Sequence, residues 1–133
     1  NAVARAREAG KHGKRAVILW HQGESDNAPD QIASYPDRFA RMIAQLRSDL
    51  NARDVPVIVG EIGRFHVGSP AINPMLAELP ARVPMCACVS SEGLTDKGDK
   101  VHFDTPSARE FGRRYAEAWF ELAKAAGAAG AAK

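Results

Sequence analysis

The chain has 133 residues, 45% of them apolar and 26% charged, which fits one globular domain and excludes a disordered tail, a collagen-like repeat and a disulfide-dense miniprotein. The net charge of +2 at pH 7 predicts neither a nucleic-acid nor a membrane partner. No apolar stretch reaches the roughly 18 residues that span a membrane, and no signal segment opens the sequence. Because the first residue is Asn1 rather than Met, we expect the chain to begin inside a longer reading frame or after processing.

Three short apolar runs predict the buried strands of a parallel sheet, because they do not alternate with polar residues: Ala16–Trp20, Val55–Val59 and Met85–Val89. Helical patterns separate these runs. They comprise a weak Ala-rich helix over Ala2–Ala9, an apolar stripe from Phe39 to Leu50, a shorter helix over Ile72–Ala81 and a long helix after Thr105. Thr105 followed by Pro106 predicts the cap of the last helix, with a capping box that starts at Ser107 as the alternative.

The order α-β-α-β-α-β-α predicts an α/β layered sheet with right-handed crossovers. We assign residues 1–126 to one domain and residues 127–133, G-A-A-G-A-A-K, to a low-complexity tail that frays. Three strands are few for such a domain, and both edges of the sheet need cover. We therefore expect at least one further strand on the N-terminal side.

Polar and titratable side chains follow each predicted strand where the strand ends. The three loops cover residues 21–27 (H-Q-G-E-S-D-N), 61–66 (E-I-G-R-F-H) and 90–104. The carboxyl ends of parallel strands meet at one edge of the sheet, and ligands bind there. Any surface loop is polar, but the first and third loops contain more titratable and hydrogen-bonding side chains than an ordinary loop requires.

Asp99 precedes His102 by three residues in the third loop. A carboxylate at this spacing can fold back onto one ring nitrogen and leave the other nitrogen as a base, which suits ester chemistry through a nucleophilic serine. The alternative is a loop histidine packed against the next helix. In the first loop, the Gln22 amide and the Gly23 N–H could stabilise an anion. The alternative there is a tight turn with Gly23 at positive φ.

The two cysteines, Cys86 and Cys88, lie two residues apart in the third predicted strand. Both therefore point to the same face of the sheet. We predict two small buried hydrophobic side chains rather than a disulfide. No further Cys or His residues at metal-binding spacing accompany them, so the sequence predicts no metal site.

Two longer stretches resemble one branch of the SGNH (GDSL-like) hydrolases, the sialate O-acetylesterases and acetylxylan esterases. I-L-W-H-Q-G-E-S-D at 18–26 resembles the signature of that branch, and G-L-T-D-K-G-D-K-V-H-F-D at 93–104 is similar to its C-terminal block. R-E-F-G-R-R-Y-A at 109–116 also fits the branch. The resemblance implies a flavodoxin-like α/β/α sandwich with a parallel sheet, the SGNH hydrolase fold, here without its N-terminal strand or strands. It also implies a serine esterase that removes O-acetyl groups from carbohydrates and uses no metal or organic cofactor.

The resemblance also implies roles for residues of the first and third loops. His102 corresponds to the general base and Asp99 to the acid that orients it. Gln22 corresponds to an oxyanion-hole donor, together with the N–H of Gly23. Glu24 corresponds to a supporting carboxylate, with the alternative that Glu24 rather than Asp99 is the main partner of the histidine.

The expected partner is an acetylated carbohydrate substrate, and the resemblance implies that His21 shapes its pocket. For His21, as for Glu24, a purely structural role is the alternative. Arg64 and His66 are candidates to line the same pocket, with ordinary exposed loop residues as the alternative. Many relatives of this branch are exported, which favours a periplasmic or extracellular location.

The family's nucleophile lies in an N-terminal G-Q-S-N block, and this chain contains no G-Q-S or G-D-S triplet. Ser25 is not the nucleophile in the family, and Ser90 and Ser91 have no recognised nucleophile context. We therefore expect the C-terminal portion of a catalytic domain, inactive and prone to associate in isolation, which an upstream segment of the same protein completes with the nucleophile. The alternatives are a non-catalytic sugar-binding or interaction module, and an SGNH hydrolase acting on lipids or thioesters.

Overall fold

Helices and strands alternate along the chain in the order that the apolar runs predict. The computed structural model describes the backbone of residues 2–131 and the side chains of residues 2–125. The elements are α1 (Ala2–Ala9), β1 (Ile18–Trp20), α2 (Pro29–Asp49), β2 (Val57–Gly60), α3 (Ser69–Arg82), β3 (Cys86–Val89) and α4 (Thr105–Ala131). Within the predicted low-complexity tail, 127–131 belong to α4, and 132 and 133 lie outside the described residues.

The three strands form one parallel sheet in the order β1-β2-β3. Ile18 pairs with Val57, and Val57 pairs in turn with Cys86. Helices α2 and α3 cover one face of this sheet, and α4 covers the other face. The result is a three-layer α/β/α arrangement with a parallel sheet, which confirms the predicted fold class.

The alternation of side chains along the strands divides the core between the two faces of the sheet. The larger cluster joins Val57 and Val59 of β2 to apolar side chains of α2 and α3. The smaller cluster joins Ile58 of β2 to Phe111 and Tyr115 of α4. Helix α1 buries no residue, and its Arg7 donates to the carbonyl of Asp49 at the end of α2.

The strands begin one or two residues later than the apolar runs. Before β2 and β3, a side chain of α2 binds the carbonyl groups. The guanidinium of Arg47, in a residue only 8% exposed, donates to the carbonyls of Val55, Pro84 and Met85 at 2.8–3.3 Å. Burial lowers the pKa of Arg47. A single side chain of α2 therefore holds together the segments that lead into β2 and β3.

Cys86 is buried and Cys88 is half-buried, and both are free thiols on the face covered by α2 and α3. Burial raises the pKa of Cys86 to about 11 and that of Cys88 to about 12. Both thiols are therefore protonated at neutral pH and act as packing groups, as the sequence predicts.

Strand β1 lies at an edge of the sheet, and no other described strand pairs with its outer side. Leu19 in this strand is 60% exposed. It borders an apolar groove between β1 and α4, lined also by Val17, Gly112, Ala116 and Trp119, with a volume of about 210 Å³. The described layers leave this edge and this apolar groove uncovered.

Candidate active site

Asp99 and His102 are in direct contact in the loop between β3 and α4. Asp99 Oδ2 lies 2.7 Å from Nδ1 of the His102 ring, and Oδ1 accepts the backbone N–H groups of His102 and Val101 at 2.8 and 3.0 Å. These hydrogen bonds, led by the N–H of His102, hold the pKa of Asp99 well below its usual range. An ionised carboxylate at Nδ1 favours the tautomer with the proton on Nδ1. The opposite nitrogen, Nε2, is then free to act as a base.

Hydrogen bonds within the loop that carries this pair hold the loop in shape. Asp96 Oδ2 accepts the N–H groups of Gly98 at 3.1 Å and Lys100 at 2.6 Å, and the N–H of Lys97 donates to the carbonyl of His102 at 3.0 Å. Lys100 has a left-handed φ of 58° at the turn. Local hydrogen bonds therefore set the position of His102, although its side chain is 68% exposed.

Phe103 attaches this loop to the edge of the sheet. Its ring centroid lies 5.1 Å from those of Phe65 and Phe111 and 5.8 Å from that of His21. Phe65 follows β2 and His21 follows β1, so the aromatic contacts bring all three loops together at the carboxyl edge. The structure thereby places His21 near the residue that follows His102.

The start of α4 differs from the prediction. Thr105 is wrong as the N-cap, because it lies inside the helix and Asp104 caps it instead. Asp104 Oδ1 accepts the N–H of Ser107 at 2.8 Å, and Asp104 Oδ2 accepts the hydroxyl of Thr95 at 2.6 Å. The hydroxyl of Ser107 accepts the N–H of Thr95 at 2.9 Å rather than forming a capping box. These bonds lock the far end of the histidine loop onto the helix.

Glu24 pairs with His21 and not with His102. Glu24 Oε1 lies 3.3 Å from Nε2 of His21, and Glu24 Oε2 accepts the N–H of Gly23 at 3.1 Å. The hydrogen bond from His21 is the main reason why the pKa of Glu24 falls to about 2, against the opposing effect of its burial. In this structure the carboxylate in contact with His102 is Asp99.

Gly23 is buried at the point where the first loop crosses the sheet edge. A Cβ at this position would lie 2.9 Å from Cδ1 of Ile72 and 3.1 Å from Cγ2 of Ile62, so close packing requires a glycine. Its N–H already donates to Glu24 in this structure. The predicted oxyanion role of this N–H therefore requires Glu24 to release it.

Gln22 projects to the α2 side of the sheet, opposite to His21. Its Nε2 donates to Asp26 Oδ2 at 2.6 Å, and its Oε1 accepts the hydroxyl of Tyr35 at 3.0 Å. One of the two N–H groups of the amide is thus engaged. The other N–H is the one that can serve as an oxyanion donor.

Arg64, predicted to bind substrate, connects the loops after β2 and β3. Its guanidinium donates to Ser90 Oγ at 3.1 Å and lies 3.4 Å from Glu61 and 3.6 Å from Glu92. About half of the side chain is exposed. It is not brought into contact with His102, and its role in substrate binding stays a prediction.

Glu61 is a buried carboxylate that the sequence analysis did not single out. It is only 8% exposed, and Oε2 accepts the N–H of Ser91 at 2.9 Å and the hydroxyl of Ser90 at 3.0 Å. A charged residue directly after the buried run V-I-V-G was the available signal, because such a charge must find partners. Glu61 thereby fixes the ends of β2 and β3 relative to each other beneath the site.

No serine hydroxyl among the side chains of residues 2–125 lies within hydrogen-bond distance of His102. In the same part of the chain, no three His, Cys, Asp or Glu side chains come together as metal ligands. None of the described helices is long and apolar enough to cross a membrane. The described part of the site thus comprises the Asp99–His102 pair and the side-chain amide of Gln22.

A three-layer α/β/α domain with a carboxylate–histidine pair at the carboxyl edge of its sheet has the layout of a hydrolase. Comparison with known proteins agrees with this class. Residues 1–121 match a family model described as "Carbohydrate esterase, sialic acid-specific acetylesterase". The chain therefore belongs to this carbohydrate esterase family.

The relatives extend beyond the region that this chain covers. Over 119 residues the chain is 33% identical to a probable carbohydrate esterase of Arabidopsis thaliana, an alignment that covers 88% of this chain and 45% of the relative. An X-ray structure of that Arabidopsis thaliana protein has a TM-score of 0.81 at 30% identity and covers 90% of this chain and 50% of its own. The chain thus spans about half the length of the relatives that it matches.

Proposed function

We propose that this chain is the C-terminal portion of the catalytic domain of a serine carbohydrate O-acetylesterase. The observation that carries the proposal is the contact of 2.7 Å between Asp99 Oδ2 and His102 Nδ1 at the carboxyl edge of the sheet. Membership of a carbohydrate esterase family supports the substrate class.

In the proposed reaction, His102 Nε2 accepts the proton of a serine hydroxyl while the serine oxygen attacks the acetyl carbonyl. Asp99 stabilises the imidazolium that forms. The free N–H of Gln22 donates to the oxyanion of the tetrahedral intermediate. The intermediate then collapses, His102 returns its proton to the departing sugar oxygen, and a water molecule hydrolyses the acetyl–serine ester by the same steps.

The nucleophilic serine is proposed to come from an upstream segment of the same protein. The open edge of β1 and the groove beside Leu19 support this part of the proposal, because a further parallel strand along β1 would cover both. Such a strand would end at the same edge as His21 and Gln22. The relatives, about twice as long as this chain, have the length for such a segment.

His21 and Arg64 are the proposed contacts to the sugar. His21 lies against the aromatic cluster below the histidine loop, with its ring 5.6 Å from that of Phe111 and 37% of its side chain exposed. Arg64 presents the exposed part of its guanidinium on the neighbouring loop. Imidazole and guanidinium N–H groups are suitable donors to sugar hydroxyl and acetyl oxygens.

The test is hydrolysis of p-nitrophenyl acetate and of O-acetylated sugars by the protein encoded by the full reading frame. We expect His102→Ala to lower kcat by at least about 1000-fold, because the general base is lost. Asp99→Asn should also lower kcat, since the carboxylate that orients the ring is lost. His12→Ala is the matched control, because this histidine is exposed in the turn after α1. Full activity of His102→Ala would refute the proposal.

A non-catalytic sugar-binding module is the second candidate. The observation that favours it is that no serine hydroxyl in the described part of the chain reaches His102. It predicts that the full protein binds O-acetylated sugar without releasing acetate and does not react with a serine-directed reagent. Acetate release, blocked by such a reagent, would exclude it.

A further inference from the structure

A chain of hydrogen bonds surrounds the side-chain amide of Gln22. Trp20 Nε1 donates to the hydroxyl oxygen of Tyr35 at 3.0 Å, and Tyr35 donates to Oε1 of Gln22 at 3.0 Å. On the other side, Nε2 of Gln22 donates to Asp26 Oδ2 at 2.6 Å, and Arg38 donates to Asp26 Oδ1 at 2.9 Å. Tyr35 is buried, with 5% exposure. The proposed mechanism uses Gln22 and leaves the other four side chains without a role.

These bonds determine which end of the amide is nitrogen. The indole of Trp20 only donates, so the oxygen of Tyr35 accepts its hydrogen. The tyrosine's own hydrogen faces two acceptors of Gln22, Oε1 at 3.0 Å and the backbone carbonyl at 3.2 Å. An ionised carboxylate only accepts, so the amide nitrogen must face Asp26. Gln22 and Arg38 both lower the pKa of Asp26, which keeps it ionised. A flipped amide would set its oxygen against the carboxylate and lose the hydrogen bond to Asp26.

Arg38 compensates the negative charge that this arrangement brings close to the site. Its guanidinium is bonded to Asp26 and lies 5.9 Å from the centre of the Tyr35 ring. Without this cation, the carboxylate of Asp26 would repel an oxyanion that accepts a hydrogen bond from the other N–H of Gln22. Charge balance and amide orientation are therefore supplied by the same network.

We infer that Tyr35, Asp26 and Arg38 are positioning residues that hold the Gln22 amide with its NH2 group as the donor. The inference rests on the proposed role of Gln22 in ester hydrolysis. It gives a function to Asp26, the last residue of the H-Q-G-E-S-D motif, which acts through Gln22 and does not touch the substrate. It also makes α2, the helix that carries Tyr35 and Arg38, part of the catalytic framework.

The first test is a double-mutant cycle on kcat in the full-length protein. Gln22→Ala should lower kcat by about 100-fold, the effect of losing one oxyanion donor. Tyr35→Phe should lower kcat by about tenfold with little change in KM, as for one hydrogen bond of ordinary net strength. In the Gln22→Ala background, Tyr35→Phe should cause no further loss. Equal losses in both backgrounds would show a merely structural role and overturn the inference.

Ser34→Ala is the matched control for this cycle. Ser34 precedes Tyr35 in α2, and its hydroxyl donates to the helix carbonyls of Asp30 and Gln31 at 2.9 and 3.2 Å. Its removal touches neither Gln22 nor the core. We expect unchanged kcat, and a loss equal to that of Tyr35→Phe would indicate a nonspecific effect on α2 and overturn the inference.

The second test observes the network without activity, by nitrogen-15 NMR of the Gln22 side-chain amide in the full-length protein. We expect one Nε2 proton to be shifted downfield and protected from exchange, and Asp26→Ala to return it to the position of a free amide. A wild-type amide with free-amide shifts would overturn the network even if the protein is an esterase. If Gln22→Ala leaves kcat unchanged while the protected proton is seen, the proposed role of Gln22 fails and the network stands.

Discussion

Two buried side chains bond to the same backbone carbonyl beneath the site, and their removal should have unequal costs. Asn73 in α3 accepts the N–H of Ile62 at Oδ1 and donates to the carbonyl of Ile62 from Nδ2, both at 3.0 Å. Ser91 also donates to that carbonyl, at 2.8 Å. Ile62 packs under Gly23, so these bonds fix the loop after β2 against the first loop. The variants to compare are Asn73→Ala and Ser91→Ala.

The difference follows from what each variant leaves without a partner. Asn73→Ala leaves the N–H of Ile62 unsatisfied in a residue with 0% exposure, which costs about 1–3 kcal/mol in addition to the cavity, or about 2–4 kcal/mol in total. Ser91→Ala leaves the carbonyl of Ile62 bonded to Asn73, so no group is orphaned. Its expected cost is about 1 kcal/mol.

The assay is equilibrium unfolding in urea, followed by circular dichroism at low protein concentration. If the m-value, the dependence of the free energy of unfolding on urea concentration, is the same for both variants, their free energies of unfolding can be compared directly. We expect Asn73→Ala to be the less stable by about 1–3 kcal/mol. A Ser91→Ala variant that is equally or more destabilised would refute the reasoning, because then the orphaned N–H is not the main cost.

Three further predictions concern other parts of the described chain. Arg47→Met should lower the free energy of unfolding by about 2–4 kcal/mol in the same urea assay, because buried carbonyls lose a charged donor, and a loss under about 0.5 kcal/mol would contradict this. Glu24 has a pKa lowered from 4.5 to about 2, so its stabilisation is present above pH 4.5 and lost as the pH falls towards 2. Glu24→Gln should therefore flatten the acid dependence of stability in that window, and an unchanged slope would count against it. Leu19→Lys should reduce concentration-dependent association in analytical ultracentrifugation. A wild-type chain that stays monomeric at all concentrations measured would contradict association through the edge of β1.

The fold was largely predictable because a parallel strand that is buried on both faces of the sheet has a continuous run of apolar residues. The continuous apolar runs identify the strands, and the helical stripes identify the layers between them. The role of Arg47 before β2 and β3 was not predictable, since this residue of α2 reaches the carbonyls of Val55 and Pro84 only in the folded chain. Which backbone groups a distant side chain uses is decided by packing and not by local pattern.

The candidate site shows the same division between local and distant interactions. The contacts of Asp99 with His102 and of His21 with Glu24 join residues three apart, where spacing is informative. The bond between Gln22 and Tyr35 spans 13 residues and forms only because α2 packs on the sheet. Sequence spacing also could not decide which carboxylate contacts His102, because Glu24 and Asp99 stand on different loops.

The measurement that tests the central claim most directly is the mapping of a serine-directed reagent on the full-length protein by peptide mass spectrometry. We expect a single adduct on a serine outside residues 1–133, formed far more slowly in the His102→Ala variant because the base that activates the serine is lost. An adduct on Ser25, Ser90 or Ser91 would contradict the claim that an upstream segment supplies the nucleophile. A rate of labelling unchanged in His102→Ala would contradict the role of His102 as the base.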